Sequence, residues 1–308
     1  MHAASRRRRR RGLLLRLRAT VQKPRRGEET KRAEQKDADV TVIGVWDDCV
    51  PAYLMPAYRH SAWLFWARQG GDRSVAKSAW IDRDATPMSD LEGLALSVLR
   101  SHLVPGCEEE VAGAEYWVQV RYGGGPGLGL HFDKDERAHA ERDEWHHPML
   151  ATATYLTDGG APLVVFDTAS DGQGRVQRGW LVAPRTARHV AFLGDRLHGV
   201  PAELAPENIL RVKCAKDDPG TTRISVLVNL WDRKPVGVSR AAPYRGSTLP
   251  IAVDFAQPVA PPIEVVQPDD HRLAEHRDGD TLPIPLRSWI HSLAGGIPGH
   301  ALELRSGD

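Results

Sequence analysis

Between Glu115 and Trp231 the sequence breaks into short runs of strand-forming residues punctuated by turns, and this limits the fold more than any other feature. Strands are expected near 115–122, 128–133, 149–157, 161–167, 187–193, 197–203 and 222–231. Gly123-Gly124-Gly125-Pro126-Gly127 joins the first two. A phosphate-cradling loop is the competing reading of these glycines, but they lack a Gly-Lys-Ser/Thr ending and a following helix. So many short strands suit a jelly roll, or double-stranded β-helix.

Ahead of the strands the pattern is different. Val40 to Trp46 reads as one strand, and the aromatic stretch Tyr53 to Trp66 as helical around Ser61–Arg68. Ser89 with Glu92 three residues on is a capping box. Leu91, Leu94, Ala95, Val98 and Leu99 then mark one helical face as far as about His102, itself read as structural. Residues 134–147 form a polar insertion, expected as a solvated loop, whose His139, His146, His147, Asp135, Glu136, Glu141, Asp143 and Glu144 are rival metal ligands by composition. After Trp231 the chain becomes Pro-rich, read as extended cover over the barrel, with a short helix over Leu286 to Ala294. The fold class is therefore α+β, mainly β. The expected organisation is a disordered basic leader and linker over 1–38 and a helical and strand support over 39–110. A jelly-roll core follows over 111–235, then a Pro-rich extension packing on that core over 236–308.

Charge is unevenly spread. Of the 41 Lys and Arg residues, 11 fall within residues 1–27, where there is no Asp or Glu. The remaining 30 face 40 acidic residues, so the body is acidic and offers no case for nucleic-acid binding, demethylation of nucleic acid included. The leader has three readings: an organelle transit peptide, for a mitochondrion or chloroplast; a nuclear-import or RNA-contact patch; or a plain basic tail. A mitochondrial or chloroplast address is the expectation, with nucleus or cytoplasm as the alternative. No apolar run reaches the roughly 18 residues that cross a bilayer. Cys49, Cys107 and Cys214 are too few and scattered for a disulfide framework or a zinc site, although one Cys49–Cys107 bridge stays open.

The chemistry concentrates in Leu128-Gly129-Leu130-His131-Phe132-Asp133. Residues two apart on a strand point to the same side, so His131 and Asp133 aim an imidazole and a carboxylate at one point. Nitrogen and oxygen donors together suit divalent iron, and His198, in Gly194-Asp195-Arg196-Leu197-His198-Gly199-Val200, offers a third ligand. Two histidines and one carboxylate leave positions open for substrate and oxygen. Downstream, Arg223 and Ser225 share a strand face, where guanidinium and hydroxyl can grip one carboxylate.

With the upstream glycines and the Tyr155-Leu156-Thr157-Asp158-Gly159-Gly160 hairpin, these residues resemble the Fe(II)/2-oxoglutarate-dependent dioxygenases, in particular the prolyl 4-hydroxylase-like branch. The resemblance covers roughly residues 115–232. It implies Fe(II) held by His131, Asp133 and His198, with 2-oxoglutarate and O2 as co-substrates and ascorbate as a companion reductant. It also implies 2-oxoglutarate contacts from Arg223, Ser225, Tyr155 and Tyr122, and hydroxylation of a protein side chain or small molecule. Thr157 stands where the family has Asn, Ala161-Pro162 replaces its small-acidic pair, and Leu128 replaces a second tyrosine. These departures bear on prolyl specificity more than on the oxidative chemistry. Arg223 lies 25 residues beyond His198, against about ten in the family, and Arg211 is nearer that spacing. Arg223 is preferred because it carries the Arg-x-Ser pair on an apolar strand, which makes 205–222 an inserted loop. Trp180, Trp231 and the Trp63/Trp66 pair are read as core rather than channel. The alternative function is a cupin-like barrel that binds a metal or ligand without turnover.

Overall fold

The computed structural model describes residues 43–71, 77–103, 108–122, 125, 127–169, 178–205, 221–242 and 263–266. The basic leader, Arg211, Cys107, Cys214 and the segment Leu286 to Ala294 lie outside the described residues. Eleven strands are described: β1 (Ile43–Trp46), β2 (Ala79–Asp82), β3 (Gly113–Arg121), β4 (Leu128–His131), β5 (Leu150–Tyr155), β6 (Leu163–Ala169), β7 (Arg178–Val182), β8 (His189–Leu193), β9 (Arg196–Val200), β10 (Arg223–Trp231) and β11 (Ile263–Val266). Three α-helices accompany them: α1 (Met55–Arg68), α2 (Asp90–His102) and α3 (Glu136–Arg142).

The strands form two antiparallel sheets, ordered β1-β8-β5-β10-β3-β2 and β11-β7-β6-β9-β4. From β3 to β10 the chain passes back and forth between them, with β3, β5, β8 and β10 in the first and β4, β6, β7 and β9 in the second. Eight strands wound in that order make the double-stranded β-helix expected from the sequence. Strands β1 and β2 extend the two edges of the larger sheet, and β11 pairs with the outer side of β7. The sequence reading did not resolve β2, β7 or β11. Each is four or five residues long, too short for alternation to separate from the surrounding turns.

Two cores hold the sheets in place. One lies under the helices: Leu91, Leu94, Ala95, Val98 and Leu99 of α2 are fully buried with Tyr58 and Ala62 of α1 against Val118, Val226 and Val228. Ser89 caps α2 by accepting from the Glu92 amide at 3.2 Å. Glu92 reaches back to the amide of Met88 rather than to that of Ser89, at 2.6 Å, and also binds Arg240, pinning the segment after β10 across the helix. The other core lies between the sheets and contains Ile43, Val45, Leu163, Val165, Trp180, Val182, Val190 and Phe192. Trp180 and Trp231 are buried and Trp63 and Trp66 pack, partly buried, against the first core, as read; Trp66 also borders the cavity described below.

Residues 134–147 are not only loop. Asp135 accepts from the amide of Ala138 at 3.0 Å and starts α3, while its other oxygen accepts from the amide of Val236. Its seven residues, five of them polar or charged beside Ala138 and Ala140, show no apolar periodicity, so the helix is set by its cap rather than by a hydrophobic face.

His102 of α2 and His189 of β8 meet in the core, with their Nε2 atoms 3.0 Å apart, and the Nδ1 of His189 lies 2.8 Å from the Thr154 hydroxyl. One ring must donate and the other accept, so the contact requires at least one neutral ring. Burial, then the neighbouring His102, push the His189 pKa well below its ordinary 6.5. The unfolded chain thus binds more protons than the folded one as pH falls below about 6.5. Stability is full above that pH and declines below it. A thermal-unfolding series from pH 7.5 to 5 should show Tm falling by a few degrees. His189→Gln, which cannot charge, should flatten part of that slope; an unchanged slope would remove His189 as its source.

Candidate metal centre

Strand β4 pairs with β9 so that His131 and His198 are direct partners across the ladder. Side chains of directly opposed residues leave the same face, and their ring centroids are 4.3 Å apart. Asp133 follows β4 and turns the same way: its Oδ1 lies 3.6 Å from the Nε2 of His131 and 3.7 Å from that of His198. One donor atom from each residue falls within 4.8 Å of the others, the one such group of three among the described residues. Octahedral donors about 2.1 Å from an ion stand roughly 3 Å apart, so small side-chain movements would close these three on a metal.

The surroundings prepare the donors. The Nδ1 of His131 lies 2.9 Å from the carbonyl oxygen of Gly129, and the Nδ1 of His198 lies 2.9 Å from that of Arg196. A carbonyl only accepts, so both Nδ1 atoms carry a proton and both Nε2 atoms face the site. Asn229 of β10 donates to Oδ2 of Asp133 at 3.0 Å, leaving Oδ1 toward the histidines. Burial acts to raise the Asp133 pKa, but His198, His131 and the Asn229 hydrogen bond together hold it well below the usual carboxylate range. The ligand strands are closely apposed: a Cβ on Gly199 would stand 2.9 Å from the Gly129 oxygen, so the residue after His198 has no room for a side chain.

The rival ligands of 134–147 do not join this group. Asp135 caps α3, His146 lies against Asp232 at 2.9 Å, and His147 Nδ1 donates to the backbone oxygen of Asp133 at 2.6 Å.

The triad opens into a cavity of about 1490 Å³ that Arg223 also lines. Arg223 starts β10 and is buried at 2 % exposure. Its Nη2 donates to the Tyr155 hydroxyl at 3.5 Å, and its guanidinium carbon stands 5.1 Å from the centre of that ring. Its Nε and Nη1 have no hydrogen-bond partner among the described residues, and neither has the buried hydroxyl of Ser225. Ser225 and Tyr155 are direct partners between β10 and β5, so both hydroxyl groups leave the same face as Arg223. Buried donors with nothing to bind are rare because each forfeits its hydration. An anion with two oxygens, such as a carboxylate, matches them. Gly160, at φ +100°, packs on this arginine; a Cβ there would fall 2.7 Å from the Arg223 Cβ.

Tyr122 sits beyond the end of β3, meets Trp66 edge-on at 6.4 Å, and borders the cavity from the helix side. The sequence reading missed Asn229, Arg121 and Glu115, which also line the cavity. Alternation held the signal: Arg223, Ser225, Leu227 and Asn229 share one face of β10, and Glu115, Trp117, Gln119 and Arg121 one face of β3. Burial raises the Glu115 pKa to about 7, against a hydrogen bond from Ser78 that lowers it.

Fold and site together define a double-stranded β-helix in which two histidines and one carboxylate converge as a group that could hold a metal. No family model and no curated protein matches the sequence. Among solved structures, the chain is similar to a prolyl-4-hydroxylase from Pseudomonas putida, with 19% identity over 63% of this chain and 94% of that one, at a TM-score of 0.41. It is also similar to EctD from S. alaskensis with 2-oxoglutarate and 5-hydroxyectoine, with 18% identity, 76% and 90% coverage and a TM-score of 0.41. A third is an oxidoreductase of the 2OG-Fe(II) oxygenase family from Burkholderia pseudomallei, with 14% identity, 72% and 98% coverage and a TM-score of 0.39. Identity this low leaves the chemistry to the geometry of the site itself.

Proposed function

We propose that this chain is an Fe(II)- and 2-oxoglutarate-dependent dioxygenase that hydroxylates a protein side chain or a small molecule. The observation that carries the reading is the pairing, in one cavity, of three convergent candidate metal donors with a buried arginine whose Nε and Nη1 have no acceptor among the described residues. His131, Asp133 and His198 would hold the iron, and Arg223, Ser225 and Tyr155 the far carboxylate of 2-oxoglutarate. Iron bound there with 2-oxoglutarate and O2 would put one oxygen atom into a substrate C–H bond and the other into succinate, releasing CO2.

The chain's own contribution is positional and electrostatic. Backbone carbonyls hold the Nδ1 side of both imidazoles and so turn Nε2 inward, the atom a metal would take. Asn229 holds Asp133 in one rotamer. Leu128, Leu163, Phe192 and Val200 give the cavity an apolar wall beside the donors, which limits water there and strengthens each charge contact.

Succinate release on adding Fe(II) and 2-oxoglutarate tests the reading, with Asp133→Ala as control. Release from wild type that is absent from the variant is expected. Metal binding with no succinate, across peptide and metabolite mixtures, would leave a barrel that binds without turnover.

A further inference from the structure

The cavity holds a second guanidinium. Arg121 closes β3, and the β3–β10 register makes it the direct partner of Arg223. Opposed residues of an antiparallel pair project from the same face, and both arginines line the same cavity. Arg121 Nη1 reaches only the Gly127 carbonyl, at 3.4 Å, and its buried Nε has no hydrogen-bond partner among the described residues. Neither arginine has an ion pair with a carboxylate among the described residues. Burial, then the charge of Arg223, pull the Arg121 pKa below its ordinary value. Two cations leave opposed strand positions into one cavity, where no carboxylate among the described residues pairs with either.

We infer that Arg121 and Arg223 share one bound anion, the far carboxylate of a dicarboxylic acid, with Arg223, Ser225 and Tyr155 on one side and Arg121 on the other. The inference rests on the co-substrate reading above and adds a positioning residue to it. An anion between two guanidiniums turns their repulsion into attraction for itself, so affinity depends on both. A second fork also selects: a 2-oxo acid without the far carboxylate leaves both arginines unneutralised. Binding should weaken with salt more steeply than a single ion pair would require.

The test is calorimetric binding of 2-oxoglutarate to the full-length, Fe(II)-loaded protein without oxygen, with glutarate as a second probe in metal-free protein. Wild type, Arg121→Gln, Arg121→Lys and Arg223→Ala are compared, with Fe(II) affinity measured in each. Arg121→Gln should bind both diacids roughly tenfold or more weakly, with a shallower salt dependence and unchanged Fe(II) affinity. Arg121→Lys should recover part of the loss, because charge is kept while the fork is lost. If Arg121→Gln fails to fold, Arg121→Lys carries the test, with a severalfold loss expected. Full diacid affinity in the Arg121 variants beside a loss in Arg223→Ala would overturn the sharing and leave the co-substrate reading in place. Failure of wild type to bind 2-oxoglutarate at all would remove both.

Discussion

Arg223→Ala should bind Fe(II) as wild type does and require at least a hundredfold more 2-oxoglutarate. The guanidinium is buried, donates weakly to Tyr155 and has two donor atoms without an acceptor among the described residues. A carboxylate placed there makes charge-assisted contacts in a region of low dielectric, where removing one partner costs on the order of 3–5 kcal/mol. At about 1.4 kcal/mol per factor of ten, that is roughly a hundredfold or more in affinity. The metal donors sit on β4, β9 and the residues after β4, so truncation at the start of β10 leaves them in place. Arg223→Lys should recover only part of the loss, since an ammonium cannot present parallel donors. Arg211→Ala should titrate like wild type if 205–222 is an inserted loop. An anaerobic titration followed by charge-transfer absorbance separates the cases. A large loss in Arg211→Ala with none in Arg223→Ala would move the carboxylate site, and no loss in either would exclude 2-oxoglutarate as the ligand.

The other large effect belongs to the triad. His131→Ala and Asp133→Ala should each abolish Fe(II) binding at stoichiometric metal. Each removes one of three donors that lie within 4.8 Å of one another, and two remaining donors leave the ion mostly to water. Bound metal stabilises by mass action, by about 2.7 kcal/mol at a hundredfold excess over Kd. Wild type should therefore gain Tm on loading, while the variants gain none. In metal-free protein Asp133→Ala should change Tm less than it changes the gain on loading, since its losses there are the hydrogen bond from Asn229 and the contacts with His131 and His198. Either variant retaining wild-type affinity would disprove the ligand assignment. Asn229→Leu separates orientation from ligation: it keeps all three donors, and it should weaken binding by about ten- to a hundredfold.

Much of this molecule was legible in one dimension, because strand alternation and helical periodicity act over neighbouring residues. His131 and Asp133, and likewise Arg223 and Ser225, share a face by spacing alone, and the buried stripe of α2 follows from the 3.6-residue repeat. What spacing cannot supply is register. His198 meets His131 because β9 runs antiparallel to β4 with those two residues opposed, a pairing of backbones 67 residues apart. The same holds for Arg121 against Arg223, which their strands bring together over a greater distance in sequence. The unmatched donors of Arg223, Ser225 and Arg121 were invisible before folding, since the lack of a partner depends on everything packed around a group. The sequence by itself determined which residue types were available as ligands and which local face each would occupy. Only the tertiary structure decided which faces meet, because that is set by long-range ladder pairing and burial rather than by local preference.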